Sequence, residues 1–183
     1  AYVAHQLRFK YNMNPLTVTW SPLKYTEIGW ANMESKINSG LSNILYSPNG
    51  NLQKKLARLC LEELGDAFHV FVLGQVCFPF HMALKLGVEL VFYGENEAEY
   101  GNPIADNENS LRDKTYWAAK NFDNLYIAGL STKELYDNHK ISRKDLNFFL
   151  PLSEEQLKQL EPLEGKLVKL VLSKQFSAGI LEY

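Results

Sequence analysis

Apolar positions along the chain recur at two periods, near 3.6 and near 2, and the switches between them mark the elements. Val3, Leu7 and Tyr11, with Ala4 beside them, share a helical stripe from which His5, Gln6, Arg8 and Lys10 largely fall away, so Ala1 to Tyr11 predicts an amphipathic helix. Asn12, Asn14 and Pro15 stop it, and Leu16 to Trp20 (LTVTW), rich in Thr and Val, predicts a strand. Ser21 and Pro22 break that strand, and a helix is predicted from Ile28 to Asn38, closed by Ser39 and Gly40. A second strand, Asn43 to Ser47 (NILYS), is bounded by Pro48, Asn49 and Gly50. Leu52, Leu56, Leu59 and Leu64 then mark one face of a helix with Lys54, Lys55 and Arg58 opposite, and Gly65 ends it.

The next segment, Ala67 to Leu86, is expected to pack inside as a short strand or turn up to Gly74 and a helix after Pro79, closed by Gly87. A strand is predicted from Glu89 to Tyr93. Strands alternating with helices argue for α/β architecture, a doubly wound parallel sheet with helices on its faces and strand ends aligned on one edge. Beyond Pro103 the texture changes. Asp106 to Asp113 is polar, and the aromatic segment of Tyr116, Trp117, Phe122, Leu125, Tyr126 and Ile127 is expected to be a helical insertion or lid. Three capping boxes follow: Ser131 with Glu134, Ser142 with Asp145, and Ser153 with Gln156. They predict helices over Ser131 to Asp137, Ser142 to Leu150 and Ser153 to Leu160. The division expected is a core α/β unit over 1–103 and a mainly helical extension over 104–183 on the same core. Periodicity does not decide whether the tail from Lys166 is an edge strand or a helix.

A chain of 183 residues suits one domain, or one domain with a small appendage, able to bury about 70% of the surface its unfolded form exposes. With 19 basic and 21 acidic residues and a net charge of −2, it offers no electrostatic reason to bind a polyanion, so nucleic acid is not an expected partner. Cys60 and Cys77 sit among apolar residues without a metal-ligand spacing, and no basic-then-apolar leader precedes the first helix, which points to the reducing cytoplasm. Ala67 to Leu84 holds no Asp, Glu, Lys or Arg and is long enough for a membrane span. His69, Gln75, Pro79 and His81 interrupt it, so a buried helix or strand–helix pair is the expectation, without a membrane partner.

Candidate chemistry concentrates in Leu90 to Pro103 (LVFYGENEAEYGNP), where four apolar residues end at Gly94 and are followed by Glu95, Asn96, Glu97 and Glu99. Open parallel sheets bind ligands just beyond the carboxyl ends of their strands. Two readings fit these acids: a site for an oxygen-seeking cation such as Mg²⁺ that also carries phosphate oxygens, and a solvated acidic loop pinned by turn residues at Gly94 and at Gly101, Asn102 and Pro103. Gln75, after Gly74, could face the same edge as Glu95; a turn amide is equally good. His81 lies four residues from Cys77, but Pro79 between them favours a satisfied core histidine over a metal ligand. His5, His69 and His139 have no role assigned. Trp30, Trp117 and Tyr126 are expected to be packing residues rather than stacking platforms.

The helix–strand opening, SPNG after the second strand, GENEAEYGNP, and IAGLSTKELYDNHKISRKDLNFFLPL together resemble the N-acetyl sugar amidotransferases of surface polysaccharide and flagellar sugar biosynthesis, over Ala1 to roughly Leu160. GENEAEYGNP is the most specific part. The resemblance implies an adenine nucleotide hydrolase-like fold of the PP-loop ATPase group. It also implies conversion of the acetamido group of a nucleotide-linked sugar to acetamidino, with ATP and Mg²⁺, and with ammonia from a glutaminase partner. By the same likeness Glu95, Asn96 and Glu97 would be catalytic, and Glu95, Glu97 and Glu99 would lie near the metal. Thr19 and Trp20 would meet the adenine through backbone groups, with Gly74, Gln75 and Gly94 along the nucleotide edge.

One departure is large. The family's Ser-Gly-Gly-x-Asp-Ser type phosphate loop, between its first strand and first helix, is not in this sequence, and no Walker-type or G-x-G-x-x-G loop replaces it. The chain is therefore expected to be a portion of a longer enzyme, since a parallel sheet without its central strand would expose unpaired edges. Two alternatives remain: a non-catalytic binding module of the same fold, and a PP-loop RNA-modifying enzyme, which the weak basic content disfavours. A homo-oligomer stays open.

Overall fold

The opening stripe folds as α1 (Tyr2–Phe9) and the LTVTW run as β1 (Thr17–Trp20). A computed structural model describes these and the rest of the chain over residues 2–88, 90–94, 111–112, 118–119, 122, 125–158 and 170–171. Thr26 caps α2 (Glu27–Asn38), its side chain accepting from the Gly29 amide, and Asn49 caps α3 (Gly50–Leu64) by accepting from Asn51 and Leu52. Each short polar side chain satisfies amides that a first helical turn leaves without a carbonyl. Between these helices β2 (Asn43–Tyr46) pairs parallel with β1, Thr17 opposite Asn43 through to Trp20 opposite Tyr46. The unit β1–α2–β2 is thus a βαβ crossover, and the chain is mixed helix and strand with a small parallel sheet.

Two expectations fail in the next stretch. His69 to Leu86 is one continuous helix, α4, which runs through Gly74 and Pro79 and ends at Gly87 in the left-handed conformation, φ 64°. Apolar all round, it lacks the period that would separate a buried helix from a buried strand, and its length decides for helix. Leu90 to Tyr93 forms no strand. Val91 instead buries itself with Phe80 and Ala83 of α4, and the Tyr93 hydroxyl donates to the carbonyl of Val76, three residues before Pro79. Among the described residues α4 is the helix long and apolar enough to cross a membrane by length and composition, with mean hydropathy 1.3. It packs against α3 and β1, with Val70, Cys77, Phe78 and Phe80 among its buried residues.

The second half holds short strands. β3 (Leu111–Arg112) pairs antiparallel with β8 (Leu170–Val171), and β4 (Ala118–Ala119) pairs parallel with β7 (Leu152–Ser153). β5 (Tyr126–Ile127) and β6 (Leu130–Ser131) form a hairpin through Ala128 and Gly129, at φ 58° and 78°. Of the aromatic segment, Tyr126 and Ile127 are strand where a helical lid was expected, and Phe122 lies in a 3-10 turn. Helices begin where the capping boxes predict: α5 (Thr132–His139) at Ser131–Glu134 and α6 (Arg143–Leu146) at Ser142–Asp145, the latter shorter than expected. At α7 (Glu154–Lys158) the Ser153 amide donates to Gln156 Oε1 and the Gln156 amide to Ser153 Oγ.

The core centres on Trp20. Its ring lies 5.1 Å from Tyr46, 5.8 Å from Phe78 and 5.0 Å from Phe149, the last two edge-on, an arrangement favoured by the ring quadrupoles. Leu56, Cys60 and Val70 join it, and so do Ile127, Leu135 and Leu146 from the second half, so both halves of the chain share one apolar cluster.

Candidate functional site

The parallel pair has two faces of opposite character. Val18 and Trp20 of β1 turn to the apolar cluster, so Thr17 and Thr19, two residues apart, share the other face. Asn43, opposite Thr17 in the ladder, presents its Oδ1 to this face. That oxygen accepts from Thr17 Oγ1 at 2.8 Å, Thr19 Oγ1 at 2.9 Å and Lys36 Nζ at 3.0 Å. Lys36, in the last turn of α2, also donates to Thr19 Oγ1 at 2.7 Å. Its two partners are neutral, while ion pairs among the described residues join Arg58 to Glu62 and Lys133 to Asp137. Burial pushes the Lys36 ammonium below its ordinary pKa. Thr19, expected near an adenine through its backbone, thus has its side chain committed to this network.

Trp20 is 6% exposed, and its indole Nε1 is buried without a hydrogen-bond partner. Its ring rests directly on the backbone of Gly74: a Cβ built there would stand 2.2 Å from Trp20 Cζ2 and 2.3 Å from Cε2. Gly74 and Gln75 accordingly lie within α4, not at a strand end. The glycine is present for this close approach rather than for a turn.

Gly94, the last described residue before the acidic loop, lies beside the first turn of α1; a Cβ there would meet Val3 Cγ2 at 3.5 Å. Glu95, Asn96, Glu97 and Glu99 fall outside the described residues, as does Trp117. Among the described residues no three His, Cys, Asp or Glu side chains come together to hold a metal.

His81 Nε2 sits 2.8 Å from the carbonyl of Leu150, which fixes the proton on that nitrogen, and the ring packs edge-on against Phe148 at 5.3 Å. Burial drives its pKa below the usual imidazole value, partly opposed by that hydrogen bond. This is the satisfied core histidine that the sequence favoured. Cys77 is buried and its thiol is pushed up to about 12, which keeps it protonated and inert. Trp30 and Tyr126 differ from expectation, being 45% and 67% exposed. Trp30 is held by its Nε1 bond to Glu34 at 2.8 Å and by the ring of Tyr25 at 5.2 Å.

Sequence reasoning missed the Lys36–Thr19–Asn43 network. Its signal was present in the alternation of TVTW, whose two threonines must share a face, but nothing local shows that a lysine of α2 covers that face. Comparison with models of protein families gives no match, and comparison with curated proteins gives none either.

Proposed function

We propose that the chain belongs to an ATP-dependent amidotransferase that converts the N-acetyl group of a nucleotide-linked sugar to acetamidino, as GENEAEYGNP and the wider resemblance imply. The observation that carries the reading is the position of Gly94, where a built Cβ would stand 3.5 Å from Val3 Cγ2. Gly94, after which the acidic stretch follows in sequence, lies beside the N-terminal turn of α1, the helix that in such enzymes follows the phosphate loop. The βαβ unit of β1, α2 and β2 supports a doubly wound parallel sheet, and the shared core supports a core unit over 1–103 with the rest packed on it.

In this reading the amide oxygen of the sugar attacks the α-phosphorus of ATP and pyrophosphate leaves, which turns a poor leaving group into AMP. Ammonia from a glutaminase then adds at the imidate carbon, and AMP departs with the C–O electron pair. Glu95, Asn96 and Glu97 would act at the phosphates and, with Glu99, would hold Mg²⁺, which would supply charge neutralisation for the departing pyrophosphate. The Thr19 and Trp20 backbone would meet the adenine, with Gly94 near the phosphates, in a cytoplasmic protein. The second reading is a non-catalytic module of the same fold that binds a nucleotide sugar.

Product analysis separates the two. The protein, carried with whatever residues its gene places before Ala1, is incubated with ATP, ammonium and a nucleotide-linked N-acetyl sugar. AMP and an acetamidino product in equal amounts support the enzyme, and sugar-nucleotide binding without AMP supports the module.

A further inference from the structure

We propose that Trp30 is a stacking platform for the base of a nucleotide; the choice of nucleotides rests on the function proposed above, the platform itself does not. Trp30 lies in the first turn of α2. Lys36, in the last turn, reaches Thr19 and Asn43 of the parallel pair. The helix therefore runs back across the strands, and its first turn stands at their carboxyl edge, where open parallel sheets take ligands. Here the indole is 45% exposed and yet held. Its Nε1 donates to Glu34 Oε1 at 2.8 Å, and the ring of Tyr25, from the loop that leaves β1, meets it at 5.2 Å and 85°. An exposed ring fixed in this way has given up its rotamer freedom before a ligand arrives, so stacking costs it little further ordering.

The neighbouring charges select what the ring can take. Glu27, Trp30 and Glu34 recur at helical spacing and share one face of α2. Carboxylates one turn to either side of the indole repel phosphate, so the part of a nucleotide that suits this face is its flat, uncharged base. Every base has a π-face, and stacking on an aromatic side chain strengthens binding by about tenfold or more. The Tyr25 hydroxyl is buried without a hydrogen-bond partner, which leaves one polar group of the pair that holds the indole still unused.

Calorimetric titration of the full chain tests this with three probes: ATP, UDP-N-acetylglucosamine, and N-acetylglucosamine phosphate, which keeps the sugar and a phosphate but has no base. Trp30→Ala is expected to weaken binding of at least one nucleotide by about tenfold or more, and the nucleotide affected identifies the source of the base. Trp30→Phe, which keeps an aromatic face, should retain most of the affinity, and the base-free sugar phosphate should not distinguish Trp30→Ala from the parent protein. Parental affinity of Trp30→Ala for both nucleotides, an equal loss toward the base-free sugar phosphate, or a parent protein that binds neither nucleotide overturns the proposal. Binding is read without turnover, so the platform and the amidotransferase reaction stand or fall separately.

Discussion

Gly74→Ala is the substitution for which two opposed effects can be weighed. In the interior of an ordinary helix this change stabilises by about 1 kcal/mol, because alanine loses less backbone freedom on folding. Here the new Cβ would stand 2.2, 2.3 and 2.7 Å from Cζ2, Cε2 and Cη2 of Trp20. Carbon atoms rest at about 3.5 Å or more, so ring and helix must separate by more than about 1 Å. The ring cannot slide away freely, since Tyr46, Phe78 and Phe149 hold it with centroids within 5.8 Å. Overpacking of this kind costs about 1–3 kcal/mol, and so large a displacement belongs at the upper end. The net expectation is a loss of about 2 kcal/mol, or a fall of about 4–8 °C in Tm for a chain of this size. Urea unfolding followed by circular dichroism and tryptophan fluorescence measures it. In a Trp20→Phe background most of the clash is gone, so Gly74→Ala should there be near neutral, a coupling that only direct contact produces. If Gly74→Ala matches or exceeds the stability of the parent protein, the packing argument is wrong.

Gly65→Ala isolates the conformational effect: the residue sits at φ 72° with nothing within 4 Å of a built Cβ, so the cost should be about 1–2 kcal/mol with no change in spectra. Ser153→Ala removes the side chain that accepts from the Gln156 amide and should cost about 1 kcal/mol in urea unfolding. His81 has its folded pKa lowered by burial, so the unfolded chain binds its proton first as pH falls. The stability from the neutral ring is complete above about pH 6.5 and declines below it. His81→Phe should therefore flatten the dependence of the urea midpoint between about pH 5 and about pH 8, even if its absolute value drops.

Local chemistry was legible wherever the signal is local. Gly65 at the end of α3 and the Ser–x–x–Glu, Asp and Gln boxes mark boundaries through hydrogen bonds made within a few residues, and the structure has them. Long-range packing was not legible. Gly74 reads as a turn in sequence because the reason for a missing side chain, the face of Trp20, lies 54 positions earlier. The run Leu90 to Tyr93 has the apolar texture of a central strand, yet that texture also suits a segment laid over α4, where Val91 and Tyr93 are found. Nothing local in sequence distinguishes Lys36, and only the fold sets it against Thr19 and Asn43. Exposed Trp30 shows the reverse error, since an indole can be held in place by Glu34 and Tyr25 while its face stays in water.

The measurement that bears most directly on the proposed function is AMP release from ATP, with ammonium and a nucleotide-linked N-acetyl sugar, in the protein and in Glu97→Ala. Sugar-dependent AMP release is expected in the parent protein, with a loss of about a hundredfold or more when the carboxylate is removed. Unaltered AMP release in Glu97→Ala would contradict it.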